Sequence, residues 1–221
     1  MVMNIVRKTL LGLMLVFLSF SNAAFAGMDE DIVQLQKSWE KLKYQTPASS
    51  QEKGFEELLE QSKTVTAQYP DQAEPLIWQG IIEATFAGVR NGISGQLAAL
   101  SLVKNAKNSF DKAIKIDPDA SNGSAYTSLG SLYYQVPSWP ISFGDNQKAK
   151  EYLTKGLELN PDGIDSNYFY GDYLYKTGDS SKAEKVLKKA LQAPPREGRE
   201  VADEGRKKEI NDLLKKIAEK K

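Results

Sequence analysis

Neither cysteine nor histidine occurs anywhere in the 221 residues of this chain. Without cysteine there is no disulfide to stabilise a fold, no thiolate nucleophile and no point of attachment for a lipid at a mature N-terminus. Without histidine the commonest general base and the commonest transition-metal ligand are missing. Serine triads and cysteine–histidine pairs are therefore excluded, and no zinc set can be assembled from its usual ligands. Carboxylates are present, and Asp117, Asp119, Asp162 and Asp165 fall near expected turns. Aspartate at such places ordinarily caps a helix, and no pair has a spacing that demands catalysis. The sequence reads as that of a non-enzyme with no metal and no cofactor.

An excess of charge of either sign is lacking too. The chain has 29 basic and 29 acidic residues. That balance leaves no electrostatic footprint for nucleic acid or anionic lipid. Long apolar runs are confined to the N-terminus. Arg7 and Lys8 precede an apolar stretch over residues 9–20, and Ala24-Phe25-Ala26 follows as a small-x-small site. The pattern is that of a secretory signal peptide over residues 1–26, cut after Ala26. The stretch is short for a span, which needs about 20 apolar residues, and no later run approaches that length. The mature chain is expected to begin at Gly27, carry a net charge near −2, and reside in the periplasm with no membrane span.

A ladder of prolines organises what remains. Pro70, Pro118, Pro161 and Pro195 each follow a small or aliphatic residue by 12 positions: Leu58, Ala106, Ala149 and Ala183. Glycines recur ahead of those residues, at Gly80, Gly130 and Gly171, where a neighbouring helix can approach closely. Tyr126-x-x-Leu129-Gly130-x-x-Tyr133 supplies the first helix of one unit, and Ala149, Leu153, Gly156 and Asn160-Pro161 supply the second. Asn-Pro ends that helix, because the residue before proline is pushed out of the α region. The next unit runs from Gly171 through a Lys176-Thr177-Gly178-Asp179 turn to Ala190, with Asp179 or Ser180 as N-cap.

The rungs are unequal. Glycine-to-alanine spacings of 26, 19 and 12 give the first two units insertions of 14 and 7 residues between their paired helices. Residues 27–70 form a degenerate hairpin, with Ile32, Leu35, Trp39 and Leu42 at helical spacing, a turn over residues 45–51, and Phe55, Leu58, Leu59 and Val65 in a second helix. Residues 71–195 hold three units. Residues 196–221 hold a helix from about Glu200 to Ala218, whose stripe of Val201, Ile210, Leu213, Leu214 and Ile217 suits a cap on the last unit with a solvated polar face.

These motifs resemble the tetratricopeptide repeat family, with a period of about 34 residues, from about Asp29 to Pro195. The resemblance implies an all-α solenoid of helical hairpins whose first helices line a concave, partner-binding face. The positions so placed are Ile77, Ile81 and Ala84, then Thr127, Ser131, Tyr134 and Gln135, then Tyr168, Asp172, Tyr175 and Lys176. Tyrosine there offers a broad apolar face at small entropic cost, and the implied partner is a protein or peptide.

The insertions are the second candidate surface. The first, Ala87 to Ser101, surrounds Arg90 with glycines, and is expected to turn and then continue as one long helix from Gln96 to Lys115. The second, Val136 to Asp145, carries Trp139 and Phe143 on a loop stiffened by Pro137 and Pro140; it docks a partner, plugs the end of the groove or folds back onto the helices. This loop and the interrupted first unit resemble the T component found with tripartite ATP-independent periplasmic transporters. That likeness implies a transporter's solute-binding protein or a small apolar ligand as partner, although some members are lipoproteins and this chain has no lipobox cysteine.

Overall fold

The computed structural model describes residues 27–90 and 92–220, with side chains for all of these except 92–94. The expected signal peptide lies outside the described residues. Among them are nine helices: α1 (residues 27–44), α2 (Ala48–Gln68), α3 (Ala73–Val89), α4 (Gly92–Ile116), α5 (Ala120–Gln135), α6 (Asn146–Leu159), α7 (Ile164–Lys176), α8 (Ser180–Ala190) and α9 (Glu200–Ala218). None is long and apolar enough to cross a membrane.

The helices pair as hairpins, α3 with α4, α5 with α6 and α7 with α8, and the first helices of successive hairpins touch one another. This is the expected solenoid. The residue 12 before each ladder proline is buried in every case, at Leu58, Ala106, Ala149 and Ala183. Each sits on a second helix that ends ahead of its proline, one residue before Asp117, Asn160 or Tyr69 in α4, α6 and α2 and five residues before Pro195 in α8. The close-approach glycines face the large residues of their partner helices: Gly80 lies on Phe110, Gly130 on Leu153 and Gly171 on Leu187. Glu83, buried on α3, accepts hydrogen bonds from Gln79 (3.0 Å) and from Ser109 of α4 (3.0 Å), so the first hairpin is tied by a satisfied polar contact as well as by Phe110.

The two insertions are built differently. The first makes no loop. Its residues extend α3 to Val89 and begin α4 at Gly92, four residues ahead of the expected start. Arg90 is therefore not a loop residue free for a partner. It stands at the C-cap of α3, pairs with Glu52 of α2 (2.8 Å) and lies over the Phe86 ring (5.4 Å). The second insertion is the expected loop. Asp145 ends it by accepting from the N–H groups of Gln147 and Lys148. The turn between α1 and α2 is shorter than residues 45–51, because α2 begins at Ala48 and the Gln51 amide donates back to the Leu42, Lys43 and Thr46 carbonyls.

One local feature positions the site. The stretch from Pro118 to Gly130 is two residues longer than those from Pro70 to Gly80 and Pro161 to Gly171. The excess is taken up at the start of α5, where Ser121, Asn122 and Gly123 are left-handed, with φ of 49°, 53° and 71°. Serine and asparagine hold that conformation at a cost. Glycine is required at 123, because a Cβ there would fall 2.7 Å from Leu159.

Candidate binding surfaces

The C-terminal helix begins and ends where the sequence places it but does more than cap. Ile210, Leu213 and Ile217 pack into the core of the repeats, and Ala202 joins the core of the N-terminal hairpin with Trp39 and Trp78. Gly205 lies against the Tyr44 ring. Lys43 pairs with Glu209 (3.2 Å), and Arg199 pairs with Glu40 (3.3 Å) while covering the Trp78 ring (5.0 Å). α9 thus spans from the last hairpin back to the first and closes the concave side. Asp203 and Arg206 stand on the same face as Ile210, Leu213 and Ile217, and both are buried.

Arg206 is the centre of this closure. Only 4% of it is exposed. Its guanidinium lies over Tyr168 (4.3 Å) and Phe169 (4.7 Å), and it donates to Asp165 (2.7 Å) and to Glu209. Asp165 also accepts from Arg196 (2.7 Å), and Arg196 pairs with Asp203. Burial alone would raise the Asp165 pKa; the two guanidiniums outweigh it and hold the carboxyl well below the usual range. Burial pushes the Tyr168 phenol up to about 12. Lys43 is lowered to about 8, by burial first and then by the charge of Arg206.

The Lys43 shift has a measurable sign. The folded chain releases this proton near pH 8, and the unfolded chain keeps it to about 10.5. Between those values the unfolded state binds more protons, so stability rises with pH. Urea unfolding is expected to show a gain of about 1–2 kcal/mol from pH 8 to about pH 9.5. Lys43→Met should abolish this gain. Above about pH 10 the sign reverses, because Tyr44 and Tyr168 keep protons that their unfolded forms lose.

The expected concave residues divide into three groups. Ile77 is 1% exposed and belongs to the core, so it cannot meet a partner. Its side chain lies on the face of α3 that packs against neighbouring helices. Tyr168 is covered by Arg206. Tyr134 donates to Asp172 (2.8 Å), Lys176 pairs with Asp172 (3.4 Å) and lies over the Tyr134 ring (4.9 Å), and Lys220 lies over Tyr175 (4.7 Å). Those four residues satisfy one another or the end of the chain rather than lining an open groove. Ile81, Ala84, Thr127 and Ser131 line a cavity of about 510 Å³ enclosed between α1, α3, α5, α7 and residues 194–206. The exposed Asn122, Asp162 and Pro194 mark its mouth. The sequence offered no sign of this cavity, since it exists only because α9 closes the solenoid.

The loop over residues 136–145 separates its two aromatics. Phe143 turns inward, edge-on to the buried Tyr133 (5.4 Å), so it packs rather than docks. Trp139 points outward and is 86% exposed, with Ile141 beside it at 60%. The loop itself is pinned: Gly144 N–H donates to Pro137 (2.9 Å), Asp145 N–H to Tyr133 (2.8 Å) and Ile141 N–H to Ser138 (3.1 Å).

Comparison with known proteins agrees with this architecture. A family model described as Tetratricopeptide repeat matches residues 141–203, from the pinned loop to the start of α9. Over those residues the chain resembles the tetratricopeptide repeat, and its stacked helical hairpins share that fold. A thermophilic repeat protein of the same kind from Thermus thermophilus superposes with a TM-score of 0.54 at 15% identity, covering 91% of this chain and 95% of that one. The structure of MamA is similar at 22% identity, with a TM-score of 0.45 over 78% of this chain and 92% of MamA. No curated protein matches the sequence. The likeness to a transporter T component is not supported by these comparisons. The tetratricopeptide fold suggests a scaffold for protein interaction, because its stacked hairpins present extended surfaces.

Proposed function

We propose that this protein is a non-catalytic, exported scaffold that holds a protein partner through the loop at Trp139 and Ile141. The observation that carries the reading is a large aromatic held out into solvent on a loop fixed by its own backbone hydrogen bonds. Its entropy is already spent before binding, and tryptophan in such a position is the commonest kind of interface hot spot. Tyr168 lies under Arg206 of the closing helix, and Tyr134 ties α5 to α7 through Asp172. Export is supported by the basic, apolar and Ala24-Phe25-Ala26 sequence; mass measurement of the protein recovered from the periplasm should give a chain beginning at Gly27.

The partner test compares tagged wild type with Trp139→Ala/Ile141→Ser in pull-downs from a periplasmic extract. Both side chains are largely in water, so the double variant should keep its melting temperature, with a stability change within about 0.5 kcal/mol. It should lose a specifically captured protein by about tenfold or more. Equal recovery by a folded double variant would show that the loop is not the docking surface.

A further inference from the structure

The cavity closed by α9 has a wall chemistry that a protein-docking scaffold does not need. Its volume of about 510 Å³ falls within the range of about 300–1,000 Å³ typical of small-molecule pockets. Four aromatic residues line it, Trp39, Trp78, Phe110 and Phe169, the first two edge-on at 6.1 Å. Ser124, Thr127 and Ser128 of α5 also line it. Four cations reach it, Lys43, Arg196, Arg199 and Arg206, against two carboxylates, Asp162 and Asp165. The remaining counter-charges, Glu40, Asp203 and Glu209, do not line the cavity.

Donors are also left over. Among the described residues Arg199 uses only Nε, on Glu40, and both η nitrogens make no hydrogen bond. Lys43 makes a single ion pair, with Glu209, and so keeps spare N–H donors. Arg206 uses Nε and Nη1, leaving Nη2. Lys43 and Arg199 lie over the Trp39 and Trp78 rings at 5.2 and 5.0 Å, so apolar surface and unspent positive donors occur side by side. Asp165 lines the cavity between Arg196 and Arg206, with its side chain 37% exposed. Lys43 gives up its proton early because of burial first, with the charge of Arg206 adding to it.

We propose that the cavity binds a small, flat organic anion, in its simplest form an aromatic carboxylate, with its apolar body among Trp39, Trp78 and Phe169 and its carboxylate on Lys43 and Arg199. Aromatic walls with a few placed polar groups are the ordinary make-up of such a site. Hydrogen bonds from cations to a carboxylate in an enclosed setting are the strong ones.

The tryptophans supply the readout. The chain has three, and Trp139→Phe removes the one on the outer loop, leaving only Trp39 and Trp78 on the cavity. Full-length Trp139→Phe protein is titrated with 4-nitrobenzoate, which quenches indole on contact, and separately with the neutral 4-nitrobenzamide. Saturable quenching by the carboxylate is expected, with the amide weaker by about tenfold or more, the worth of one charge-assisted hydrogen bond. Adding Lys43→Gln should weaken the carboxylate by about tenfold and leave the amide unchanged. Linear quenching without saturation, or saturation that is equal for acid and amide, overturns the proposal. The acid–amide comparison needs no cavity variant, so it decides the question even if Lys43→Gln fails to fold.

Discussion

Replacing Arg206 with alanine is expected to lower the unfolding free energy by about 3–5 kcal/mol. The residue is 4% exposed and bonded to Asp165 and Glu209, so its loss leaves charges without their principal counter-charge in a place water reaches poorly. Asp165 keeps Arg196, and Glu209 keeps Lys43, which holds the cost below that of a fully orphaned pair. The rings of Tyr168 and Phe169 lose their covering cation as well, a contact worth about 0.5–2 kcal/mol when desolvated. Arg206→Lys retains the charge but not the planar fork or the stacking, so it should recover only part of the loss. Urea unfolding of the three proteins measures this directly. A loss under about 1 kcal/mol for alanine would mean that the helix is held by its apolar stripe alone. A double-mutant cycle with Asp165→Asn should give a coupling of about 1–3 kcal/mol, because the two residues share one network.

Gly130→Ala should cost about 2–3 kcal/mol, although alanine is ordinarily the better helix former by about 1 kcal/mol. The added Cβ would lie 2.9 Å from the backbone nitrogen of Leu153 and 2.8 Å from its Cγ. A side chain can turn aside, but the Leu153 backbone is part of α6, and Leu153 itself is buried. The α5 and α6 axes must then separate, which opens the core of the middle hairpin. Gly88 provides the contrast within the same protein. A Cβ there meets nothing within 4 Å, so Gly88→Ala should follow helix propensity and stabilise by about 0.5–1 kcal/mol. Thermal unfolding of the two variants checks both signs, and a stabilising Gly130→Ala would contradict the close approach.

The repeat register was legible because its signals are local and their reasons steric. Proline ends a helix, a small residue 12 positions earlier marks where that helix is packed, and a glycine opposite lets the partner come close. The boundaries of α9 followed from equally local rules, whereas the outward Trp139 and inward Phe143 were left open by the loop's sequence. The closure of the solenoid did not. Val201, Ile210, Leu213, Leu214 and Ile217 are the stripe of a cap and equally that of a strap. The missed signal lay in the same stripe. Counting back from Ile210 by four and then three residues reaches Arg206 and Asp203, both charged and both at core positions. Charges placed on an apolar stripe need partners, and those partners, Asp165 and Glu209 for one and Arg196 for the other, are distant or only incidentally near in sequence.

The surroundings of the candidate site residues were hidden for the same reason. Tyr134, Tyr168 and Tyr175 stand where a concave face would present them. No local pattern tells that Asp172, Arg206 and Lys220 already occupy them. The left-handed turn at Ser121–Gly123 announced itself only as two extra residues after Pro118. Their effect, a polar wall for a cavity, depends on a helix some eighty residues further along the chain.

Contact between the two ends of the chain is the central claim, and a zero-length crosslink tests it most directly. A carbodiimide joins an amine to a carboxylate only when the two already touch, and Lys43 lies 3.2 Å from Glu209. Its depressed pKa of about 8 makes it a ready nucleophile. Peptide mass spectrometry of the treated protein is expected to show a Lys43–Glu209 amide alongside the Lys188–Glu184 amide within α8, whose partners are 2.8 Å apart. Formation of the α8 crosslink without the Lys43–Glu209 one would contradict the closed solenoid.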